Sequence, residues 1–402
     1  MLAKDFRVSV TTILGLVLAA SSVMAQKKYD VGASDTEIKI GNLAPYSGPA
    51  SAYAVVGKTA AAYYKKINDE GGINGRKINF ISLDDGYSPP KSVEMTRRLI
   101  EQDQVLFIAG SVGTAPISAT YKYAAGKGVP HLFAASAATK FQDPKNPLII
   151  GWAPSYYTEG SIYAKHILQN TPDAKVAVLY QNDDYGKEFL QGFENVLGAK
   201  AKTMIVAKSS YEVTDTTLDS QIVQLQGSGA NVFVNIATPK FAAMAIRKVY
   251  DIGWKPLHYM SSPATSIPGV LIPAGLEKAT GIISTQFFKD PMDSKWKDDK
   301  AMKEWRAFMA KYYPDGDVKD DRIIYGYGLA KTVVEALKQC GDNLTRENLM
   351  KQATNLRDFQ LDVLIPGIKI NTSPTDYAPI KQMQMMRFDG KEWVLFGGLV
   401  TK

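Results

Sequence analysis

The chain has 402 residues, a formal net charge of +7 and a single cysteine, Cys340. Its positive residues are dispersed among Asp and Glu and form no stripe, which argues against nucleic-acid binding. One cysteine excludes an intramolecular disulfide and any multi-cysteine metal site, and no cofactor is expected. Because Cys340 falls late in an apolar helical pattern, we predict that it is a core residue.

The first 25 residues are typical of a secretory signal. Lys4 and Arg7 give a positive start, residues 8–20 form an uncharged apolar stretch, and residues 23–25 resemble a cleavage site. A membrane anchor is the alternative, but a spanning helix needs about 20 predominantly apolar residues and this run is shorter. No cysteine follows the cleavage site, so we expect a periplasmic protein of a Gram-negative cell without lipid attachment.

Strand-like and helix-like patterns alternate from residue 38 to residue 134. The predicted strands cover 38–43, 78–83, 105–109 and 131–134, and the predicted helices cover 55–68, 90–102 and 116–125. Such βαβ repetition indicates a parallel, doubly wound sheet.

The alternation begins again after Gly151 and predicts a second open sheet. Its strands are expected at 175–180, 203–207, 232–236 and 257–260, between helices at 158–169, 186–197, 218–225 and 240–251. Three helices follow at 300–312, 325–339 and 346–355. The chain ends in short strands at 367–370, 384–388 and 393–396, with Asp389-Gly390 as a hairpin signal. Because no linker separates the halves, we expect the chain to cross between two lobes several times and to form a hinge.

Three loops in the first half follow predicted strands, where open α/β sheets bind ligands. Residues 110–114 and 135–139 contain Ser111 and Thr139, whose hydroxyls, with unpaired N–H groups, can hold a carboxylate. Ordinary helix capping explains any single one of these hydroxyls better, but two such loops near one sheet edge strengthen the case for a ligand site. In the third loop, residues 47–53, the Tyr53 ring can close over a ligand.

Several motifs resemble the periplasmic branched-chain amino-acid-binding proteins, which are type I periplasmic binding proteins of ABC transporters. These motifs are Ile40-Gly41, Ser47-Gly48-Pro49, residues 68–76 (NDEGGINGR), Asp84-Asp85, residues 134–139 and residues 182–186 (NDDYG). The Gly-Gly-Ile-Asn-Gly turn and its spacing to Asp84-Asp85 are the most specific. The resemblance covers essentially the whole chain after the leader.

The resemblance implies an α/β protein of two Rossmann-like lobes joined by three crossovers and closed over a ligand by a hinge. The first lobe is expected to comprise residues 26–150 and 287–365, and the second lobe residues 151–286 and 366–402. The resemblance also implies ABC permease and ATPase partners in the inner membrane. The protein itself is expected to be a monomer.

Specific residues match the family's ligand contacts. The resemblance assigns Ser111, the backbone of Ala137 and Thr139 to the grip on the ligand carboxylate. It assigns Tyr53 to an aromatic lid and Tyr185 to an aromatic contact from the second lobe.

The second lobe departs from the family's pattern. Amino-acid binders of the family present a second-lobe carboxylate to the ligand's ammonium, and residues 260–266, around Ala264, contain no acid. The family also has a second-lobe aromatic residue at a position that corresponds to the neighbourhood of Thr238, and this sequence has no aromatic residue there. A buried ammonium without a counter-charge costs on the order of several kcal/mol.

We therefore expect a carboxylate without an α-amino group. It is either an aromatic acid, such as a benzoate or a phenylpropanoid, or an aliphatic acid; a branched-chain or other amino acid is the alternative. Four aromatic residues near the first crossover are candidates either for stacking walls or for ordinary packing. They are Phe141, Trp152, Tyr156 and Tyr157.

An enzyme and a sensor subunit are the alternatives to a transport-binding protein. An enzyme is disfavoured, because His131, His166 and His258 are scattered and no nucleophile elbow or phosphate-binding loop is present. Residues 326–328 (GYG) open a predicted helix without a preceding strand, which favours helix packing over dinucleotide binding. A sensor subunit exploits the same lobe closure as a transport protein, so the sequence does not distinguish the two.

Overall fold

The computed structural model describes residues 27–401. The predicted leader and its cleavage site therefore lie outside the described residues. Within residues 27–401, no helix combines the length and the apolar character needed to cross a membrane.

The first part of the chain forms a five-stranded parallel sheet with helices packed against it. In chain order its elements are β1 (Lys28–Tyr29), β2 (Glu37–Ala44), α1 (Ala54–Asp69), β3 (Lys77–Asp84), α2 (Pro89–Glu101), β4 (Phe107–Ala109), α3 (Thr114–Gly126), β5 (His131–Ala134) and β6 (Ile149–Gly151). The sheet order is β3-β2-β4-β5-β6. Strands β4, β5 and β6 are buried at every residue, as expected for a parallel sheet covered on both faces.

The second part repeats the alternation, as predicted. Its elements are α4 (Tyr156–Asn170), β7 (Val176–Gln181), α5 (Asp184–Leu197), α6 (Ala201–Met204), β8 (Ile205–Tyr211), α7 (Asp219–Gly227), β9 (Val232–Ile236), α8 (Pro239–Asp251), β10 (Leu257–Met260), α9 (Ile272–Ala274), α10 (Leu276–Ala279) and β11 (Ile283–Gln286). The strand predicted at 203–207 is displaced, because residues 201–204 form a helical turn and β8 starts only after it.

The last part of the chain packs against the first part and then completes the second sheet. Its elements are α11 (Lys300–Tyr312), α12 (Asp321–Cys340), β12 (Asn343–Leu344), α13 (Arg346–Ala353), β13 (Met383–Phe388) and β14 (Trp393–Val400). Helix α12 packs along α1, and β12 pairs with β1 in a separate two-stranded parallel sheet, so these elements return to the first part of the chain. A Cβ added at Gly326 would lie 2.8 Å from the Val56 carbonyl oxygen of α1. Gly326 therefore permits close helix packing, as predicted for residues 326–328, and Cys340 is buried at the end of α12.

Strands β13 and β14 complete a seven-stranded second sheet in the order β14-β13-β11-β10-β9-β7-β8. They form the predicted hairpin, in which Phe388 pairs with Trp393 and the Asp389 N–H donates to the Glu392 carbonyl at 3.1 Å. The strand predicted at 367–370 is wrong. Its last residue makes only an isolated bridge to Phe359, and the turn before it has φ +96° at Gly367, which interrupts an extended chain.

The chain passes between the two sheets three times: after β6, after β11 and after α13. We call the part built on β2–β6 with α11–α13 the first lobe, and the part built on the seven-stranded sheet the second lobe. This is the predicted α/β architecture of two lobes with three crossovers. The residue boundaries given above for each lobe stay a prediction.

Candidate ligand-binding site

A cavity of about 100 Å³ lies between the two lobes. First-lobe loops after β2, β3, β4 and β5 line it on one side, and residues after β9, β10 and β11 line it on the other, with the start of α12. One water needs about 10–15 Å³ on this scale, so the cavity has room for a small solute. The cavity lies beyond the carboxyl ends of parallel strands, where open α/β sheets bind ligands.

Four of the seven residues predicted for the site line this cavity: Tyr53, Ala137, Tyr185 and Thr238. The Tyr53 hydroxyl donates a hydrogen bond of 3.1 Å to the carbonyl oxygen of Pro263 in the second lobe. Tyr185 lies in the first turn of α5, where the Asp183 carboxylate caps the helix by accepting from the Tyr185 N–H. The two tyrosines therefore reach the cavity from opposite lobes.

The structure places Ser111 beneath the cavity wall. Its carbonyl accepts from the Ala135 N–H at 2.9 Å, and its hydroxyl accepts from the Leu43 N–H at 3.1 Å. The sheet pairing thus continues past the end of β4 and turns the Ser111 side chain toward β2. Val112 and Gly113 line the cavity at this point.

Thr139 and Ala264 also lie outside the cavity lining. Thr139 is exposed, and its N–H donates to both oxygens of the Glu188 carboxylate in the second lobe, at 3.0 and 2.9 Å. Ala264 is fully buried in the second-lobe core. A direct ligand contact by Ser111, Thr139 or Ala264 stays a prediction.

Of the four suggested aromatic walls, Tyr156 lines the cavity. Trp152 is fully buried outside the lining, with its ring centroid 4.8 Å from that of Tyr325. Phe141 packs in the hydrophobic core, and the Tyr157 hydroxyl accepts a hydrogen bond from an Asn side chain of α5.

Four further aromatic residues line the cavity and were not predicted: Tyr87, Phe287, Phe288 and Tyr325. Tyr87 follows the Asp84-Asp85 motif at the end of β3 and packs against Gly113, where an added Cβ would lie 2.4 Å from the ring. Its position just after a strand is the sequence feature that could have identified Tyr87 as a site residue. Phe287, Phe288 and Tyr325 come from a crossover and from α12, and no local pattern assigned those elements to the site.

Three buried polar groups on the cavity wall have an atom without a hydrogen-bond partner. They are Gln286 Nε2, Asp321 Oδ1 and Arg322 Nη1. None of the three was predicted from the sequence. The pattern that could have identified Asp321 and Arg322 is Asp320-Asp321-Arg322 before a helical run, because Asp is a favoured capping residue and marks the start of a helix.

The Arg322 guanidinium is fixed by the residue that caps α12. Its Nε and Nη2 donate to the two oxygens of Asp320 at 2.8 and 2.6 Å, and Asp320 also accepts from the Ser266 hydroxyl at 2.9 Å. A Cβ added at Gly269 would lie 2.0 Å from Arg322 Nη2, so the absent side chain makes room for the guanidinium. The remaining nitrogen, Nη1, faces no protein acceptor.

Asp321 is buried and has a perturbed acidity. Burial and the neighbouring Asp320 carboxylate raise the pKa of Asp321 to about 7, against the opposing effect of Arg322. Asp321 Oδ2 accepts from the Thr265 hydroxyl at 2.9 Å. Burial and the proximity of Asp321 also raise the pKa of Asp290 well above its ordinary value. Both carboxyl groups therefore favour their protonated form.

A buried glutamate holds the second-lobe loop that Tyr53 contacts. Glu159 Oε1 accepts from the Ser262 N–H at 2.6 Å, and Oε2 accepts from the Ser262 hydroxyl at 2.9 Å. Glu159 Oε1 also accepts from the hydroxyls of Tyr163 and Thr285. These bonds fix the loop whose next carbonyl receives the Tyr53 hydrogen bond.

Further contacts join the lobes at the rim of the cavity. Asp184 of α5 forms an ion pair with Lys140 and accepts from the Ser118 hydroxyl at 3.3 Å, both in the first lobe. The hydrogen bond from Lys140 is the largest of several effects that lower the pKa of Asp184. With the Thr139–Glu188 bonds, these contacts hold the lobes together around the cavity.

The described residues contain no group of three or more His, Cys, Asp and Glu side chains arranged to hold a metal ion. Burial lowers the pKa of both His131 and His258 to about 3, so both are neutral. Neither they nor His166 line the cavity.

The fold and the cavity define a two-lobed solute-binding protein. Residues 37–392 match the family model described as periplasmic binding protein. The chain therefore belongs to the periplasmic binding protein family, whose members are substrate-binding proteins, and this membership implies a periplasmic location.

Known relatives and structures agree with this assignment. A "Leu/Ile/Val-binding protein homolog 1" from Brucella abortus (strain 2308) is 26% identical over 324 residues, which cover 79% of this chain and 82% of the relative. A branched-chain amino acid ABC transporter structure from Thermus thermophilus with bound valine has a TM-score of 0.81 at 16% identity, covering 92% of this chain and 98% of that one. A fatty acid ABC transporter substrate-binding protein from Thermomonospora curvata has a TM-score of 0.76 at 22% identity, covering 94% and 95%.

Proposed function

We propose that this protein is the solute-binding component of an ABC importer and that it captures a small carboxylate with an apolar body. The observation that carries the proposal is the composition of the cavity. Its walls are aromatic and aliphatic, and one of the lining residues, Arg322, keeps a buried N–H donor without a protein partner. An apolar pocket with a few convergent polar groups suits a ligand with one charged end.

The contacts between the lobes support capture by closure. The Tyr53–Pro263 hydrogen bond and the Asp184–Lys140 ion pair both join the first lobe to the second. Hinge closure around a ligand forms such contacts and removes the ligand from water. A solute held this way is released when the lobes part.

An amino acid is the second candidate, and Asp321 favours it. The segment 260–266 contains no acid, but Asp321 supplies a carboxyl group to the cavity from α12. Its unpartnered Oδ1 could accept from a ligand ammonium, which weakens the expectation drawn from the second lobe alone. The neighbours' ligands, valine in one case and a fatty acid in the other, are compatible with either candidate.

A binding screen tests the proposal. Thermal shift and then calorimetric titration would compare benzoate, 3-phenylpropanoate and octanoate with leucine and valine, because a ligand bound only by the folded state raises the melting temperature. We expect at least one of the three acids to bind and its primary amide to bind at least tenfold more weakly. Binding of leucine or valine, with no response to the acids, would establish the amino-acid candidate instead.

Transport is tested separately from binding. The proposed partners are a permease and an ATPase in the inner membrane, and a sensor function is the alternative. A deletion strain should lose uptake of the acid that binds; unchanged uptake, together with a lost transcriptional or motile response, would favour sensing. Size-exclusion chromatography with light scattering would check the expected monomer. Turnover of the bound acid would contradict a purely binding function.

A further inference from the structure

We infer that Arg322 Nη1, at the start of α12, and Gln286 Nε2, at the end of β11, hold the carboxylate of the ligand, and that the Ser111 and Thr139 side chains do not. This inference rests on the proposed function, namely binding of a carboxylate in the cavity between the lobes.

Unsatisfied hydrogen-bonding capacity distinguishes these two side chains from the rest of the wall. Among residues 27–401, nine buried side-chain nitrogen or oxygen atoms have no partner, and three of them belong to cavity-lining residues. Two of these three, Arg322 Nη1 and Gln286 Nε2, are N–H donors. A buried donor left unpaired is costly, so a ligand that supplies its acceptor gains affinity.

Both donors are held in place by other bonds. Arg322 uses Nε and Nη2 to grip Asp320, which leaves Nη1 as its free donor. The Gln286 Oε1 accepts from the Phe287 N–H at 2.9 Å, and this contact requires oxygen on that side of the amide. The free side of the amide is therefore the NH₂ group. Neither donor has to break a protein hydrogen bond in order to meet a ligand.

Aromatic residues near the two donors in sequence pack against each other. Phe287 follows Gln286 directly and Tyr325 lies one helical turn after Arg322, and their ring centroids are 6.2 Å apart. The same rings provide an apolar surface beside the donors. A carboxylate with an aromatic or aliphatic body matches both features, because its charged end meets N–H groups and its body meets rings.

The hydroxyls on the opposite walls are already engaged. The Ser136 hydroxyl is 2.8 Å from that of Thr114, and the Thr238 hydroxyl is 3.2 Å from Gln181 Oε1. Ser111 lies beneath the wall. A carboxylate bound there would have to displace existing bonds, whereas the Arg322–Gln286 pair offers free donors.

Asp321 completes this end of the cavity. Its carboxyl group favours the protonated form below neutral pH, because burial and Asp320 raise its pKa to about 7. A protonated Asp321 does not repel a ligand carboxylate and can donate a further hydrogen bond to it. The arrangement thus places beside the ligand a guanidinium paired with Asp320 and a second carboxyl group that is uncharged below its raised pKa.

Two substitutions test the anchor. Arg322→Lys keeps a positive charge beside Asp320 but removes Nη1, and Gln286→Leu removes the amide donor with little change in volume. We expect each variant to bind the tightest acid among benzoate, 3-phenylpropanoate and octanoate about 10- to 100-fold more weakly, as for the loss of a hydrogen bond to a charged group. Arg322→Lys should also lose the preference for the acid over its primary amide.

Matched controls separate this inference from the proposed function. Ser111→Ala and Thr139→Ala should keep the wild-type preference for the acid over its primary amide, because neither side chain lines the cavity. Gly269→Ala should weaken binding like Arg322→Lys, since its Cβ would displace the guanidinium. Circular dichroism would confirm folding, and Gln286→Leu keeps the test decisive if Arg322→Lys does not fold.

The outcomes are distinct. If no acid binds to the wild type, the proposed function fails. If an acid binds to the wild type and Gln286→Leu and any folded Arg322→Lys bind it equally well, the proposed function stands and this inference is wrong. If Ser111→Ala or Thr139→Ala loses the preference for the acid over its amide while Gln286→Leu keeps it, the carboxylate lies on the first-lobe loops and this inference is wrong.

Discussion

The Tyr53 hydroxyl donates a hydrogen bond of 3.1 Å to the Pro263 carbonyl, so a cavity-lining side chain of the first lobe is bonded to the second lobe. In the closed protein this bond lies within the wall of the cavity. Opening the lobes must break it. The bond therefore couples ligand enclosure to lobe closure.

Tyr53→Phe should weaken ligand binding while leaving the fold intact. The ring stays, but a hydrogen bond of about 1 kcal/mol is lost from the closed state, which predicts an affinity roughly fivefold lower. The dissociation rate, measured by stopped flow, should rise by the same factor. Tyr123→Phe is the control, because its hydroxyl bonds Glu101 within the first lobe, and it should bind like the wild type.

Asp184→Asn should reduce affinity in a salt-dependent way. The substitution removes an ion pair between the lobes at a partly exposed position, where such pairs contribute up to about 1 kcal/mol. We expect a two- to fivefold loss at low ionic strength that disappears near 1 M salt, where screening shortens the range of the interaction. Glu194→Gln removes a pair with Lys208 inside the second lobe and should have no effect on affinity. A loss that persists at high salt would contradict the electrostatic origin.

The buried Glu159 offers a test of loop positioning. Glu159→Ala leaves the Ser262, Thr285 and Tyr163 donors without their acceptor, so unfolding free energy should fall by roughly 1–3 kcal/mol and affinity should fall with it. Glu159→Gln keeps one acceptor oxygen and should lie much closer to the wild type. Urea denaturation and titration of both variants measure the difference. Equal losses in the two variants would show that the charge, and not the acceptor, matters.

Stability should depend on pH through Asp321. Its pKa is about 7 in the folded protein against an ordinary value of 3.8, so the folded state binds more protons between these values. The free energy of unfolding should therefore fall as pH rises through this window, by on the order of 1–3 kcal/mol. Glu188, whose pKa burial raises to about 7, adds to the fall.

Asp321→Asn should make this pH dependence shallower, because an amide does not ionise. Urea denaturation of the ligand-free protein between pH 4.5 and pH 8 would measure it. A wild-type stability that rises through the same window, or an unchanged slope in the variant, would contradict the assignment to Asp321.

The pH dependence of binding should distinguish the two ligand candidates. Ionisation of Asp321 above about pH 7 places a negative charge beside a ligand carboxylate, so the affinity for an acid without an amino group should decrease from pH 6 to pH 8. The ammonium of leucine would instead gain from the ionised group, and its affinity should not decrease. Titration calorimetry at pH 6, 7 and 8 gives the comparison, with Asp321→Asn expected to show a flat profile for the acid.

The sequence by itself determined the two-lobed α/β fold and part of the site. Alternating apolar and amphipathic runs encode strands and helices locally, and Gly-Gly-Ile-Asn-Gly with Asp84-Asp85 carries the family resemblance. Tyr53 was predictable because its loop follows a strand and strand ends meet at the cavity, whereas Tyr185 was predicted from the family resemblance. The strand predicted at 367–370 failed because apolar residues there pack in a turn-rich crossover without sheet pairing.

Only the tertiary structure decided which polar residues line the cavity. Ser111 and Val112 are adjacent in sequence, and continued sheet pairing past β4 turns the first away and the second toward the cavity. Arg322 and Gln286 are 36 positions apart on different elements, and their convergence depends on the return of α12 to the first lobe. Local patterns encode the period of a helix or strand, whereas the direction of a side chain at a cavity depends on packing between elements distant in sequence.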